Sequence, residues 1–178
     1  HPSWPYRQVV AEVYRQMAQE LDVAVDEEAA ARFADSITSW PPFADTVPAL
    51  KRLKTRFRLF ILSNVDEASI LGSLKQLDVP FDGVFTAEQI GSYKPNPRNF
   101  DFLLAQLAAR GIEPHEVVHV AQSLYHDHGP AQAAGLKTVW IDRTQGKPGA
   151  TRLPRPLPHF NLRFENLKDF AAGVITTH

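Results

Sequence analysis

Three short stretches of this 178-residue chain carry side chains able to do chemistry. Ser63 and Asn64 directly follow an apolar run. A hydroxyl, an amide and the main-chain N–H groups of a strand tip can hold an oxyanion or a carboxylate. The plainer role for Ser and Asn at such a place is to cap the next helix. Lys94 sits in Gly91-Ser92-Tyr93-Lys94-Pro95-Asn96-Pro97, where two prolines are expected to keep the segment extended and fix the ammonium's direction. A fixed cation stabilises a carboxylate nucleophile or a developing negative charge. A solvated loop lysine is the alternative. The third stretch runs from His119 through Gln122, Ser123, Tyr125, His126 and Asp127 to His128. Three His and one Asp so close together raise the question of a metal site. The pattern argues against it. His119 is expected to alternate into a sheet, away from the tip, and His126 and His128 diverge at a helix start. Asp127 is then expected to cap a helix or to accept a hydrogen bond that orients Lys94 or Ser123.

The elements that must position these groups are legible in the hydrophobic pattern. Residues 6–21 repeat Tyr6, Val9, Val10, Val13, Tyr14, Met17 and Leu21 at helical spacing. Asp26 caps a second helix, which must stop before Pro41 and Pro42. After that double proline the rhythm changes. A helix at 46–55 leads to a β-prone run, 57–62, and then to a helix through Ile70, Leu71, Leu74 and Leu77. Strands follow at 84–86, 117–121 and 137–141. Between them, Asn96-Pro97 opens one helix, and another across 131–134 ends at Gly135. A last helix begins near Asn166, after a Pro/Gly/Arg-rich stretch over 144–158 that reads as a loop. Strand–helix alternation of this kind predicts an α/β fold, a parallel sheet with helices on both faces. Chemistry then belongs at the carboxyl ends of the strands. Ser63-Asn64, the segment after Thr86 and the segment after Ala121 all fall there.

Composition narrows the partners. Lys and Arg number 19 against 20 Asp and Glu, a net charge of −1 without a basic run. This argues against nucleic acid or an anionic membrane as partner. No apolar run approaches the ~20 residues of a membrane span. With no Cys, disulfides, thiolate metal sites and a Cys nucleophile are excluded, and a cytoplasmic setting is expected.

Taken in order, these stretches resemble the haloacid dehalogenase superfamily. Phe60-Ile61-Leu62-Ser63-Asn64 looks like its second motif, a hydrophobic strand ending in Ser or Thr. Tyr93-Lys94-Pro95 looks like the third, and His119 through Asp127 like the fourth, continued by Ala134-Gly135-Leu136-Lys137-Thr138. Val139-Trp140-Ile141-Asp142-Arg143 is similar to the 2-haloacid dehalogenase branch. The resemblance implies a Rossmann-like core over residues 43–178 and part of a helical cap over residues 1–42.

It also implies a reaction: an Asp attacks the carbon that bears the halogen, and water hydrolyses the ester. Carried over, Lys94 pairs with that nucleophile and keeps it ionised, while Ser63 and Asn64 hold the nucleophile and the carboxylate of a small substrate. Ser123 and Asp127 position Lys94 and the hydrolytic water. Tyr93, with Trp4, Tyr6 and Trp40, walls an apolar pocket. No cofactor is implied. Magnesium-dependent phosphatases of the superfamily carry Gly-Asp where this chain has Ala121-Gln122, and a neutral amide is a poor magnesium ligand. That departure favours the metal-free branch over a phosphatase. A second departure is the first motif, the strand ending in the nucleophilic Asp, which no stretch before residue 57 supplies. The chain opens on His1 and its only methionine is Met17, so the expectation is an upstream segment that completes the sheet. Exchange of elements in a homodimer, or a rearranged sheet, is the alternative. The 178 residues alone are expected to be inactive, and a non-catalytic binding or assembly module is the rival from another class.

Overall fold

The computed structural model describes residues 4–145 and 156–175. Two helices open it, α1 (Tyr6–Glu20) and α2 (Glu27–Asp35). The Asp26 carboxylate accepts the main-chain N–H groups of Glu28 and Ala29, and Glu27 and Glu28 complement the dipole of α2. Val10, Ala34 and Ile37 bury together between the two helices, with Tyr6, Ala11 and Phe33 around them. A 3-10 turn, Ser36–Ser39, closes this layer just before Pro41 and Pro42.

The rest alternates. In order come α3 (Thr46–Lys54), β1 (Phe60–Ser63), α4 (Glu67–Leu77), β2 (Gly83–Thr86), α5 (Ala87–Ile90) and α6 (Arg98–Ala108). Then follow β3 (Val118–Ala121), α7 (Gly129–Ala133), β4 (Lys137–Ile141), β5 (Leu162–Phe164) and α8 (Leu167–Val174). Every strand pair is parallel, as expected of an α/β chain. One apolar cluster joins Ala49 and Leu53 of α3 and Phe170 and Ala171 of α8 to Val139 and Ile141 of β4. A second gathers Phe85, Ile90, Phe100, Leu103, Leu107, Ala131 and Leu136, with Phe60 and Leu62 of β1 beside it.

The sheet is divided. β1 pairs with β2, and β3 with β4 and β5, but β1 and β3 are not paired with each other. Among the described residues each of them therefore keeps one open edge, a row of unpaired main-chain groups.

Some boundaries differ from the sequence reading. Residues 57–59 lie outside β1, because Arg56 and Phe57 close the end of α3 by donating to the Leu53 carbonyl. α6 starts at Arg98 rather than Pro97, with the Asn96 side chain accepting the Arg98 N–H. β5 and α5 have no counterpart in the reading, since both are too short to show a period. The predicted loop at 144–158 lies largely outside the described residues.

The helical layer is pinned to the α/β part at Gly72 of α4. A Cβ there would lie 2.4 Å from the Thr38 carbonyl oxygen, which also accepts Gln76 Nε2 at 3.3 Å. Gly72→Ala is expected to cost about 1–3 kcal/mol by overpacking. Urea unfolding should show this as a lower midpoint at unchanged slope.

Candidate active site

The carboxyl ends of β1 and β3 meet at one lysine. Lys94 is 9% exposed, and its Nζ donates to the Leu62 carbonyl of β1 at 2.8 Å and to Asp127 Oδ1 at 2.6 Å. The Asn64 amide grips its main chain from both sides: Lys94 N–H donates to Oδ1 at 2.7 Å, and Nδ2 donates to the Lys94 carbonyl at 2.9 Å. The segment is not extended as the prolines suggested. It turns at a cis Lys94–Pro95 bond, and Asn96 N–H donates to the Tyr93 carbonyl.

Asp127 lies inside a π-helical turn, Leu124–His128, that follows β3. Its Oδ1 also receives His119 Nε2, 3.0 Å away. This corrects the expectation that His119 points away from the site. The alternation argument holds along the strand, but the π turn brings Asp127 back over β3. Asp127 thus orients Lys94 rather than Ser123. The Ser123 hydroxyl instead caps the turn by accepting His126 N–H, and lies 3.1 Å from His126 Nδ1. Burial pushes the His126 imidazole below its usual value, with Asp127 opposing and Lys94 reinforcing the shift. His128 is fully buried, its Nε2 on the Ala121 carbonyl, and burial lowers it too.

Burial alone would raise the Asp127 carboxyl, but the His119 hydrogen bond and the Lys94 charge outweigh it and hold it at about 2. A folded value below the usual 3.8 means that this carboxylate's stabilisation is complete above the unfolded value and drains as pH falls through it. Unfolding free energy should therefore drop between about pH 4 and pH 2, and Asp127→Asn should flatten that part of the acid titration.

The other candidates sit around this centre. Ser63 ends β1, half-buried, and its hydroxyl bonds to no described residue. Asn64 keeps one amide N–H beyond the two bonds above. Tyr93 donates its hydroxyl to the Trp4 carbonyl at 2.7 Å, a tether to the start of the helical layer rather than an open wall. Trp40 is half-exposed and donates to Ser36 Oγ. The sequence reading missed His119 as a member of the cluster. A His eight residues before an Asp that follows the same strand was the available signal.

The arrangement offers a buried ammonium at an open seam between two sheet edges, with two N–H bonds used and a third left. The side chains present here give magnesium few ligands. Asp127 Oδ1 already accepts two N–H donors, and Gln122 supplies no carboxylate. Among the described residues no three His, Asp or Glu side chains converge as ligands. That ion wants several oxygens in a near-octahedral shell.

A family model for haloacid dehalogenase-like hydrolases matches residues 6–135. The chain belongs to the haloacid dehalogenase-like hydrolases. Within that family its sequence lies beside the 2-haloacid dehalogenases. It is 33% identical over 114 residues to (S)-2-haloacid dehalogenase 4A of Burkholderia cepacia, covering 63% of this chain and 46% of that protein. A glyceraldehyde 3-phosphate phosphatase of Methanopyrus kandleri is 30% identical over 124 residues, 68% of this chain and 52% of that protein. The fold matches an L-2-haloacid dehalogenase of Xanthobacter autotrophicus with chloropropionic acid covalently bound. The TM-score is 0.79 at 18% identity, over 95% of this chain and 75% of that one. The chain thus spans about half the length of these two curated relatives. Among its described residues no helix is long and apolar enough to cross a membrane.

Proposed function

We propose that this chain is part of a metal-independent hydrolase that removes halide from a small 2-haloacid through an aspartyl ester. The nucleophile would sit on a strand seated between β1 and β3, supplied by a segment outside these 178 residues, so the 178 residues alone are inactive. Residues 1–42 then act as part of a helical cap, and residues 43–178 as the core that the strand completes.

The observation that carries this reading is the place of Lys94. Its Nζ bonds one strand tip through Leu62 and the other through Asp127, with the unpaired edges of β1 and β3 on either side. A carboxylate on a strand between them would meet the third N–H and stay ionised beside a cation. In the first step a carboxylate oxygen bonds to the carbon bearing the halogen and the halide leaves with the electron pair of its bond. In the second step water adds to the ester carbonyl, the 2-hydroxy acid departs, and the carboxylate is restored with one proton released to solvent. Ser63 and the remaining Asn64 N–H hold the substrate carboxylate. Asp127 and Ser123 keep Lys94 and the water in place. Tyr93, next in sequence to Lys94, ties this centre to the start of the helical layer through its bond to the Trp4 carbonyl.

The test is halide release from 2-chloropropionate by the polypeptide extended to include the completing strand. Release is expected, unchanged by a chelator and absent from the 178-residue chain. Magnesium-stimulated hydrolysis of a phosphate ester in its place would support the phosphatase reading. No turnover of either, with a dimer on size exclusion, would support an assembly module whose sheet edges pair between copies.

A further inference from the structure

We propose that His119 is a positioning residue, holding Asp127 Oδ1 so that the free N–H of Lys94 points into the seam between β1 and β3. The inference rests on the proposed reaction for its catalytic consequence, but not for its structural content.

The geometry is specific. One oxygen of Asp127 receives both Lys94 Nζ and His119 Nε2, at 2.6 and 3.0 Å. The other oxygen, Oδ2, makes no hydrogen bond to any described residue. A carboxylate held by a lysine alone can rotate about its last torsion and exchange oxygens, because the two are equivalent and that torsion is soft. A second donor fixed on a strand removes this freedom. His119 is such a donor, because β3 sets its backbone and the fully buried Phe100 ring meets its imidazole edge-on at 5.1 Å. The tautomer follows too. An ionised carboxylate only accepts, so Nε2 carries the hydrogen.

The charges around the pair leave little to compete. The titratable groups facing it are Lys94, His126 and His128. Burial lowers both histidines toward the neutral form at neutral pH, and their side chains are turned to Ser123 and the Ala121 carbonyl. Lys94 and His119 are thus the donors that set the carboxylate's orientation. With Leu62 and Asp127 taking two N–H bonds of Lys94, the direction of the third is fixed only as well as Asp127 is.

Two measurements on the 178-residue chain test this without any activity. A long-range proton–nitrogen spectrum of the imidazole rings should show His119 with hydrogen on Nε2. The carboxyl carbon of Asp127 should titrate about one pH unit or more higher in His119→Leu. His119→Gln, which restores a donor of similar reach, should recover much of that shift. In the extended polypeptide His119→Leu should lower kcat for halide release about a hundredfold at little-changed KM, with Gln again rescuing. A bare Nε2 in the wild-type chain, or an unmoved Asp127 titration in His119→Leu, would overturn the proposal. Full kcat in an active His119→Leu enzyme would overturn it as well. If the Leu variant fails to fold, the wild-type tautomer and the Gln variant still decide. If every extended form fails to release halide, the proposed reaction falls while the spectra still judge His119.

Discussion

Replacing Lys94 by methionine should destabilise the chain by about 3–5 kcal/mol. The loss comes from the charge left behind more than from the bond removed. Asp127 is 7% exposed and holds its ionised form against burial partly through Lys94. Without that ammonium the carboxylate must stay buried and charged beside His119 alone, or take up a proton. Adding Asp127→Asn should return most of the lost stability, because an amide oxygen can still accept from His119 without a charge to compensate. Urea unfolding of the two variants checks this. A Lys94→Met chain as stable as the wild type would mean that the pair is solvated and that its contacts carry no weight. In the extended polypeptide the same substitution should cost at least about a thousandfold in halide release, the scale of removing a charge-stabilising group from a dry site.

Phe100→Ala is expected to cost a further large sum, about 3–5 kcal/mol, for a different reason. Phe100 is wholly buried among Phe85, Leu103 and Leu107, so truncation leaves a cavity that those neighbours can only partly fill. It differs from an ordinary core residue in what its ring touches. It backs the imidazole of His119, so the cavity opens next to the Asp127 hydrogen bond. Thermal or urea unfolding should show the stability loss, and the Asp127 titration should move upward with it. Phe100→Leu, close in volume, should cost under about 1.5 kcal/mol and shift Asp127 less. Equal Asp127 titration in Phe100→Ala and wild type would separate the core from the site.

The alternation of strand and helix was visible in the sequence because each long element buries one face. The spacing of Phe100, Leu103 and Leu107 shows α6 directly, and Asp26 shows where α2 begins. Lys94 and Asp127 could be singled out because polar groups at strand tips stand out against apolar runs. Their joining was foreseen in kind, through an acceptor that orients the lysine. The role of His119 was hidden because it depends on a π-helical turn, and no residue period announces one extra residue per turn. Asn64 looked like a substrate ligand from its place after β1. Both ends of its amide turn out to hold the Lys94 main chain, a contact between residues 30 apart that spacing along the chain cannot show. β5 could not be read because its apolar–polar–apolar alternation, Leu162-Arg163-Phe164, runs over three residues only, too few to stand out as a strand.

The divided sheet connects these parts. Val139 and Ile141 of β4 pack into one cluster, while Phe85 of β2 and Phe60 and Leu62 of β1 share the other with Ala131 and Leu136, so apolar packing crosses between the halves although, among the described residues, the facing edges of β1 and β3 stay unpaired. Lys94 spans that seam. A strand that entered it would gain main-chain partners on both sides and would bring its carboxyl end to the ammonium.

A single turnover in water enriched with oxygen-18 tests the covalent reaction most directly. The polypeptide extended to include the completing strand would be held in excess over 2-chloropropionate. The account predicts ordinary oxygen in the 2-hydroxy acid and heavy oxygen in one aspartate of that strand, because the first product oxygen comes from the carboxylate and water repairs it. Heavy oxygen in the product of the first turnover, with no labelled aspartate, would mean that water attacks the substrate directly and would contradict it.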